Sequence, residues 1–171
     1  MSQIPARNVP ALEEQKPFED QVVKVYRCST VVKGGRRFSF AALVAVGNRA
    51  GQVGIGYGKA NEVPPSVEKA VKDARKAVIS INLKGKTLPH PVQGHFGATK
   101  VTLVPASPGT GVIAGAAVRA VLELAGVKDV LSKVYGSTGA KNVVKATMNA
   151  LSKLQSREEV EKLRGVSIQA S

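Results

Sequence analysis

Apolar positions alternate with a period of two along the first third of the chain. Between Val22 and Val32, Val23, Val25 and Val31 stand on one parity against Lys24, Thr30 and Val32. Between Arg37 and Val46, Phe38, Phe40, Ala42, Val44 and Val46 share a parity. The Lys33-Gly34-Gly35-Arg36 stretch between these runs predicts a β-hairpin, because glycine takes positive φ without a Cβ clash. With Gly34 and Gly35 as a two-residue loop, Val31 stands opposite Phe38 and Val25 opposite Val44. That register gathers Val23, Val25, Val31, Phe38, Phe40, Val44 and Val46 on one face. Residues 47–51 make a second turn, and Val53, Ile55 and Tyr57 alternate as a third strand, interleaved with Gly54, Gly56 and Gly58. The period then changes. Pro64 and Pro65 open a helix, where a missing N–H costs nothing, and Val67, Ala70, Val71, Ala74 and Val78 form its apolar stripe. The order so far is β-β-β-α, ending near Leu83.

Residues 84–98 read as a linker leading into a second unit, its first part, Lys84 to Pro91, being the plainest linker. Thr99 to Val104 is a short strand, residues 105–111 a loop, and Val112 to Ala125 a helix rich in small residues. Val127 to Tyr135 reads as a strand, with a helix as the competing period. Gly136 to Gly139 is a turn, and Asn142 to Leu154 is helical through Val143, Ala146, Met148, Ala150, Leu151 and Leu154. A flexible arm, 1–17, carries Pro5, Pro10 and Pro17; a charged tail, 156–171, holds a short helix over 157–165. The pattern predicts an α+β chain of two small domains, 18–83 and 99–155.

Composition narrows the class. Apolar residues make up 43% of the 171, enough for a core and too many for wholesale disorder, while aromatics are 4%. A single cysteine excludes an internal disulfide framework. No apolar run approaches the roughly 20 residues of a membrane helix, and the residues before Phe18 lack a secretory apolar region. The expectation is a soluble, intracellular protein. Its net charge is +13, and that charge is localised: −2 over 1–21, +8 over 22–83, +7 over 84–155 and 0 over 156–171. A basic folded body, as opposed to a basic tail, points to a polyanionic partner.

Catalytic chemistry has little to work with. His90 and His95 lie in a Pro- and Gly-containing stretch without nearby carboxylates, and Cys28 has no base close in sequence, so no metal or nucleophilic site is expected. The Gly54-Ile55-Gly56-Tyr57-Gly58-Lys59 run is not a Walker A loop, because Ala60 stands where a hydroxyl is needed. It reads equally as a strand under a packed helix or as a place where an RNA backbone comes close, with Tyr57 stacking and Lys59 on a phosphate. Residues 105–111, entering a helix, form a possible anion nest. Galactokinase and homoserine kinase carry such a loop, but continue it with serines, where this chain has Val112-Ile113-Ala114. An RNA phosphate or a plain turn fits better than ATP. The alternative function, a small-molecule kinase using Gly109 and Gly111, lacks those serines and a magnesium carboxylate.

The basic residues form a better constellation. Lys33, Arg36 and Arg37 cluster at the hairpin tip beside Gly34 and Gly35, with Arg27 further along on the Phe face. Lys69, Lys72 and Lys76 share a helix face; Arg49 and Lys59 lie near turns; Lys133, Lys141 and Lys145 bracket the turn after Tyr135. Together these could span phosphates of folded RNA. Arg119, alone in an apolar helix, is expected to pair outside it.

These stretches are similar to the signature of the small-subunit ribosomal protein S-five family, bacterial type. The resemblance rests on Gly34 to Phe40 (GGRRFSF), Gly54 to Ala60 (GIGYGKA), Pro64 through Lys76, residues 105–126 (PASPGTGVIAGAAVRAVLELAG) and residues 135–147 (YGSTGAKNVVKAT), in order over 18–155. It implies a double-stranded-RNA-binding-like first domain lacking that fold's first helix. It implies a second domain that is an α/β two-layer sandwich, shared in shape with the kinases above. It further implies a non-enzymatic, cofactor-free, metal-free protein of the cytoplasmic ribosome, or of an organelle's, that binds ribosomal RNA and fixes the head relative to the body. Its neighbours would be ribosomal proteins S-four and S-eight, with no membrane contact and no homo-oligomer. The interface with S-four, placed at Gly109, Thr110, Gly111 and Arg119, would influence decoding accuracy. The loop at Lys33, Gly34 and Gly35 would lie near the spectinomycin site, with the protein also lining the side where mRNA enters. The turn after Gly136 departs from relatives, which often carry Pro there.

Overall fold

The computed structural model describes residues 17–166. The expected arm, 1–17, and the end of the tail therefore fall almost wholly or partly outside the described residues. Four strands, β1 (Glu19–Val32), β2 (Gly35–Gly47), β3 (Gln52–Ala60) and β4 (Ile79–Ser80), form an antiparallel sheet in that order. Helix α1 (Val63–Lys76), with proline in its first turn, packs on one face. The second sheet has the order β5 (Val92–Phe96), β6 (Thr99–Pro105), β8 (Val130–Gly136), β7 (Val112–Ile113). Helices α2 (Ala116–Ala125) and α3 (Ala140–Ser152) lie on one side of it, and α4 (Arg157–Arg164) follows. The chain is α+β with two sheets, as expected.

Five local readings change. The hairpin loop is Lys33-Gly34, not Gly34-Gly35: Gly34 alone is at positive φ (+82°), and Val32 pairs with Gly35. Val31 consequently faces Arg36, and Phe38 faces Ser29. A shift of two preserves parity, so the Phe face survives. The same shift sets Val25 opposite Ala42, and a bulge between Val22 and Lys24 then sets Val22 opposite Val44, with Val23 packed toward the second sheet's side of the core. The bulge adds one residue and so flips the alternation that parity assumes. A short β4 follows α1. Val92–Phe96, read as linker, is a strand, paired with β6 across the Gly97-Ala98 turn; its Gln-Gly-His centre hides the alternation. Finally, Val112 and Ile113 form β7, parallel to β8, and the helix starts only at Ala116.

The core explains how the sheets meet. Ala42, Val44 and Val46 pack with Ala70 and Ala74 of α1. Their neighbours Leu43 and Ala45, on the opposite face of β2, join Val53 in a second cluster with Val118, Val121, Leu122 and Leu124 of α2 and the interior of the second sheet. Thus β2 is buried on both faces from Ala41 to Val46, and α2 is wedged between the two sheets. No helix among the described residues is long and apolar enough to cross a membrane.

Candidate nucleic-acid interface

β1 and β2 outrun the sheet. β3 pairs with β2 only from Phe40 to Gly47, so Cys28 to Ser39 project as a free two-stranded ribbon. Alternation fixes what each side of the ribbon shows. Arg36, Phe38 and Arg27 share one side, and the Arg27 guanidinium lies 3.7 Å from the Phe38 ring centroid, a cation–π contact. Arg37 and Thr30 share the other side. Lys33, Arg36 and Arg37 are exposed at the tip. No Asp or Glu occurs from Gln21 to Asn61, a stretch holding seven Lys and Arg residues, so nothing covalently near neutralises the ribbon.

Where the ribbon leaves the sheet, a groove of about 490 Å³ opens between β2, β3 and the start of α1, lined by Ser39, Lys59, Asn61, Glu62 and Lys69 among others. Lys69 Nζ donates to the Lys59 carbonyl at 3.5 Å, which places the Lys69 ammonium at the groove. Lys72 and Lys76 continue along the exposed face of α1. Asp73, on the same helix, is engaged: its Oδ2 accepts from Tyr57 N–H at 3.1 Å and covers the edge of β3 left open by the short β4. The predicted cations thus fall in order along a track from the ribbon (Lys33, Arg36, Arg37, Arg27) past the groove at its base (Lys59, Lys69) to the exposed side of α1 (Lys72, Lys76), on more than one face of the ribbon.

The other predicted residues lie elsewhere. Gly54, Gly56 and Gly58 face α1: a Cβ at these positions would collide with backbone at Ala74, at Ala70 and Ala74, and at Ser66 and Ala70 respectively. Of the readings left open for this run, the strand under a packed helix is the one that matches. Tyr57, on the opposite face, is half-buried against the larger core, and Lys141 Nζ sits 3.6 Å from its ring centroid. Those two meet each other between the sheets, away from the ribbon. Arg49 is at the far end of β1, about 40 Å from the tip by strand rise. It takes a left-handed φ of 54° and pairs with Glu19 at 2.7 Å. Lys133 stands on the outer face of the second sheet.

The loop 105–111 is an anion nest already filled from within the chain. Asp129 Oδ1 accepts from Gly109 N–H and Gly111 N–H, both at 3.0 Å, and Thr110 N–H bonds the Ser107 carbonyl at 3.2 Å. A nucleotide phosphate would find these donors used, which removes the basis of the kinase alternative. Arg119 does reach outside its helix, donating to the Val112 carbonyl at 3.3 Å, beside Gly111. Among the described residues no group of three His, Cys, Asp or Glu could hold a metal.

Sequence reading missed Asp129 and Asn48. The Asn48 side chain accepts from Ala50 N–H and Gln52 N–H and so builds the β2–β3 turn. An Asn followed by Arg-Ala-Gly was the available signal.

Two family descriptions match in tandem: "Ribosomal protein S5, N-terminal domain" over residues 18–82 and "Ribosomal protein S5, C-terminal domain" over 94–164. The chain belongs to the ribosomal protein S5 family. It is 57% identical over 148 residues to the "Small ribosomal subunit protein uS5" of Rhodopirellula baltica, covering 86% of this chain and 84% of that one. It is 51% identical over 161 residues to the protein of the same name from Pseudoalteromonas translucida, covering 94% and 96%. For the one from Alteromonas mediterranea the identity is 53% over 152 residues, covering 89% and 92%. The expected S5 membership is thus met on both halves of the chain.

Proposed function

We propose that this S5 protein grips ribosomal RNA through the track running from the ribbon tip to α1. As a family member it is a structural, non-enzymatic constituent of the small ribosomal subunit. Lys33, Arg36, Arg37, Lys59, Lys69, Lys72 and Lys76 displace condensed counterions from phosphates, and Arg27 stiffens the ribbon from beneath by covering Phe38. By spanning two RNA segments, one at the tip and one at the helix, the protein holds the head relative to the body. Tyr57, Arg49, Lys133 and Lys141 contribute secondary contacts. Gly109, Thr110, Gly111 and Arg119 meet ribosomal protein S-four, and the strength of that contact biases decoding accuracy by shifting how readily the subunit closes. S-eight is a second neighbour, the tip lies near the spectinomycin site, and mRNA passes close by. The observation that carries this reading is the free ribbon, whose 41-residue acid-free surroundings leave its three tip cations unopposed.

The test is RNA binding by the full chain across a salt series. Arg36→Ala with Arg37→Ala lowers the log–log salt slope by about one to two units. An unchanged slope would mean that the tip touches no phosphate.

A further inference from the structure

The second sheet is covered by helices on one side only. Among the described residues its other side carries no helix, and the register of its strands sorts that face into three transverse rows. The first row is His95, Lys100 and Tyr135, directly opposite one another on β5, β6 and β8. The second is Gln93, Thr102 and Lys133. The third is Val104, Leu131 and Ile113, next to the 105–111 loop. Tyr135 is 53% exposed, and His95, Lys100 and Lys133 are exposed as well. None of the nine residues is acidic.

We infer that the first two rows form a second RNA surface, one that takes a single-stranded stretch. It rests on the RNA-binding reading above for the class of ligand, but not for any contact on the ribbon. An exposed ring on a sheet face offers a base a stacking partner irrespective of sequence, and a sheet face is wide enough to hold splayed bases. Lys100 is cross-strand neighbour to Tyr135, and Lys133 is one step along the same side of β8, so each base stacked on the ring has a cation for its phosphate. The His95 imidazole, across β6, supplies a further ring or donor. A duplex is disfavoured here, because its bases are already stacked and the ring would be left idle. The charge is complementary to nucleic acid over the first two rows, whereas the third row is apolar and continuous with the loop assigned to a protein partner.

Single-stranded RNA of mixed sequence, with a 2-aminopurine reporter, tests this on the full chain. Each variant is measured in the native chain and in the Arg36→Ala, Arg37→Ala background, so that loss of ribbon binding and loss of sheet-face binding are read apart. Tyr135→Ala is expected to weaken single-strand binding about five- to a hundred-fold and to abolish reporter quenching, while Tyr135→Phe keeps both. Lys100→Gln and Lys133→Gln each reduce the salt slope by about 0.7. All three substituted side chains are exposed, so unchanged thermal unfolding is expected and is checked alongside. Native affinity and quenching in Tyr135→Ala would overturn the inference, as would equal losses in Tyr135→Phe and Tyr135→Ala. So would variants that bind RNA normally but no longer associate with other small-subunit proteins in the absence of RNA, since the face would then be a protein interface.

Discussion

Asp129 is 6% exposed and receives two backbone N–H groups from the loop that sequence places 18 and 20 residues earlier. Its own carbonyl accepts from Thr87 Oγ1 at 2.6 Å, and that hydroxyl oxygen in turn accepts from Ala106 N–H at 3.3 Å. The residue therefore fixes both ends of the loop while leaving Thr110 outward. Removing the carboxylate oxygens strands two amide donors, whereas an asparagine keeps an oxygen in the same place. Asp129→Ala is expected to cost about 1–3 kcal/mol in urea unfolding and to speed amide exchange at Gly109 and Gly111. Asp129→Asn should stay near the native values, and equal losses in both variants would show that charge, not the acceptor atom, holds the loop. None of this was legible in the sequence. The glycines announced a turn, but the group that closes it arrives from the segment just before β8, and nothing in local spacing links position 129 to positions 109 and 111.

Elements were more legible than their edges. Parity found the Phe face because an error of two in the hairpin register returns every side chain to the same side. It failed at Val23 because a bulge is an odd insertion. Helix α1 was announced by Pro64 and Pro65 and by its stripe, and α3 by its apolar spacing. β5 and β7 stayed hidden, being five and two residues long and stabilised by neighbours rather than by their own pattern. The track itself was half legible: the basic residues were visible, but that Lys59 meets Lys69 while Lys141 turns to Tyr57 depends on packing. Helix α4 buries no residue and begins with a capping box, to which one distant side chain adds. Ser156 Oγ accepts from Glu159 N–H, and Glu159 Oε2 accepts from Ser156 N–H and from Asn82 Nδ2. The Ser156 N–H bond, with help from Asn82 and Lys162, holds the Glu159 carboxyl below its usual range. A lowered native pKa means that the contribution is present above the unfolded value and is lost as pH falls through the native one. The protection of the Val160 and Gly165 amides, relative to their intrinsic exchange rates, should therefore fall on acidification below the ordinary glutamate range. Glu159→Gln, which keeps the acceptor but not the titration, should flatten that response; an identical acid response in Glu159→Gln would place its origin elsewhere.

At the scale of the molecule, the first sheet is joined through backbone bonds to the helix that packs on the second, a joint that accounts for how the ribbon and the 105–111 loop are held in one frame. The β2–β3 turn docks on the end of α2: Arg49 N–H bonds the Leu124 carbonyl at 2.9 Å and Gly51 N–H bonds the Ala125 carbonyl at 3.0 Å. The last carbonyls of that helix, which have no partner within it, are thus capped by the other sheet. From this joint β2 runs outward to the ribbon tip, and α2 runs back toward Arg119 and the loop. A push at either end is carried through strand and helix rather than through a linker. The fit is tight enough to test with one carbon. A Cβ on Gly47 would lie 2.8 Å from the Leu124 carbonyl carbon and 2.9 Å from the Gln52 carbonyl oxygen, both of them backbone atoms that cannot rotate away. Gly47→Ala should force the turn off α2, at about 1–3 kcal/mol for the overpacking. In the native chain, urea unfolding followed by amide exchange in α1 and in α3 should give one coincident transition, because the larger core spans both sheets. In Gly47→Ala the two should separate, with the tip still binding RNA but Arg119 contacts no longer responding to it. Coincident transitions with an unshifted midpoint in that variant would mean that the joint does not couple the sheets, and that the ribbon and the loop act as independent anchors.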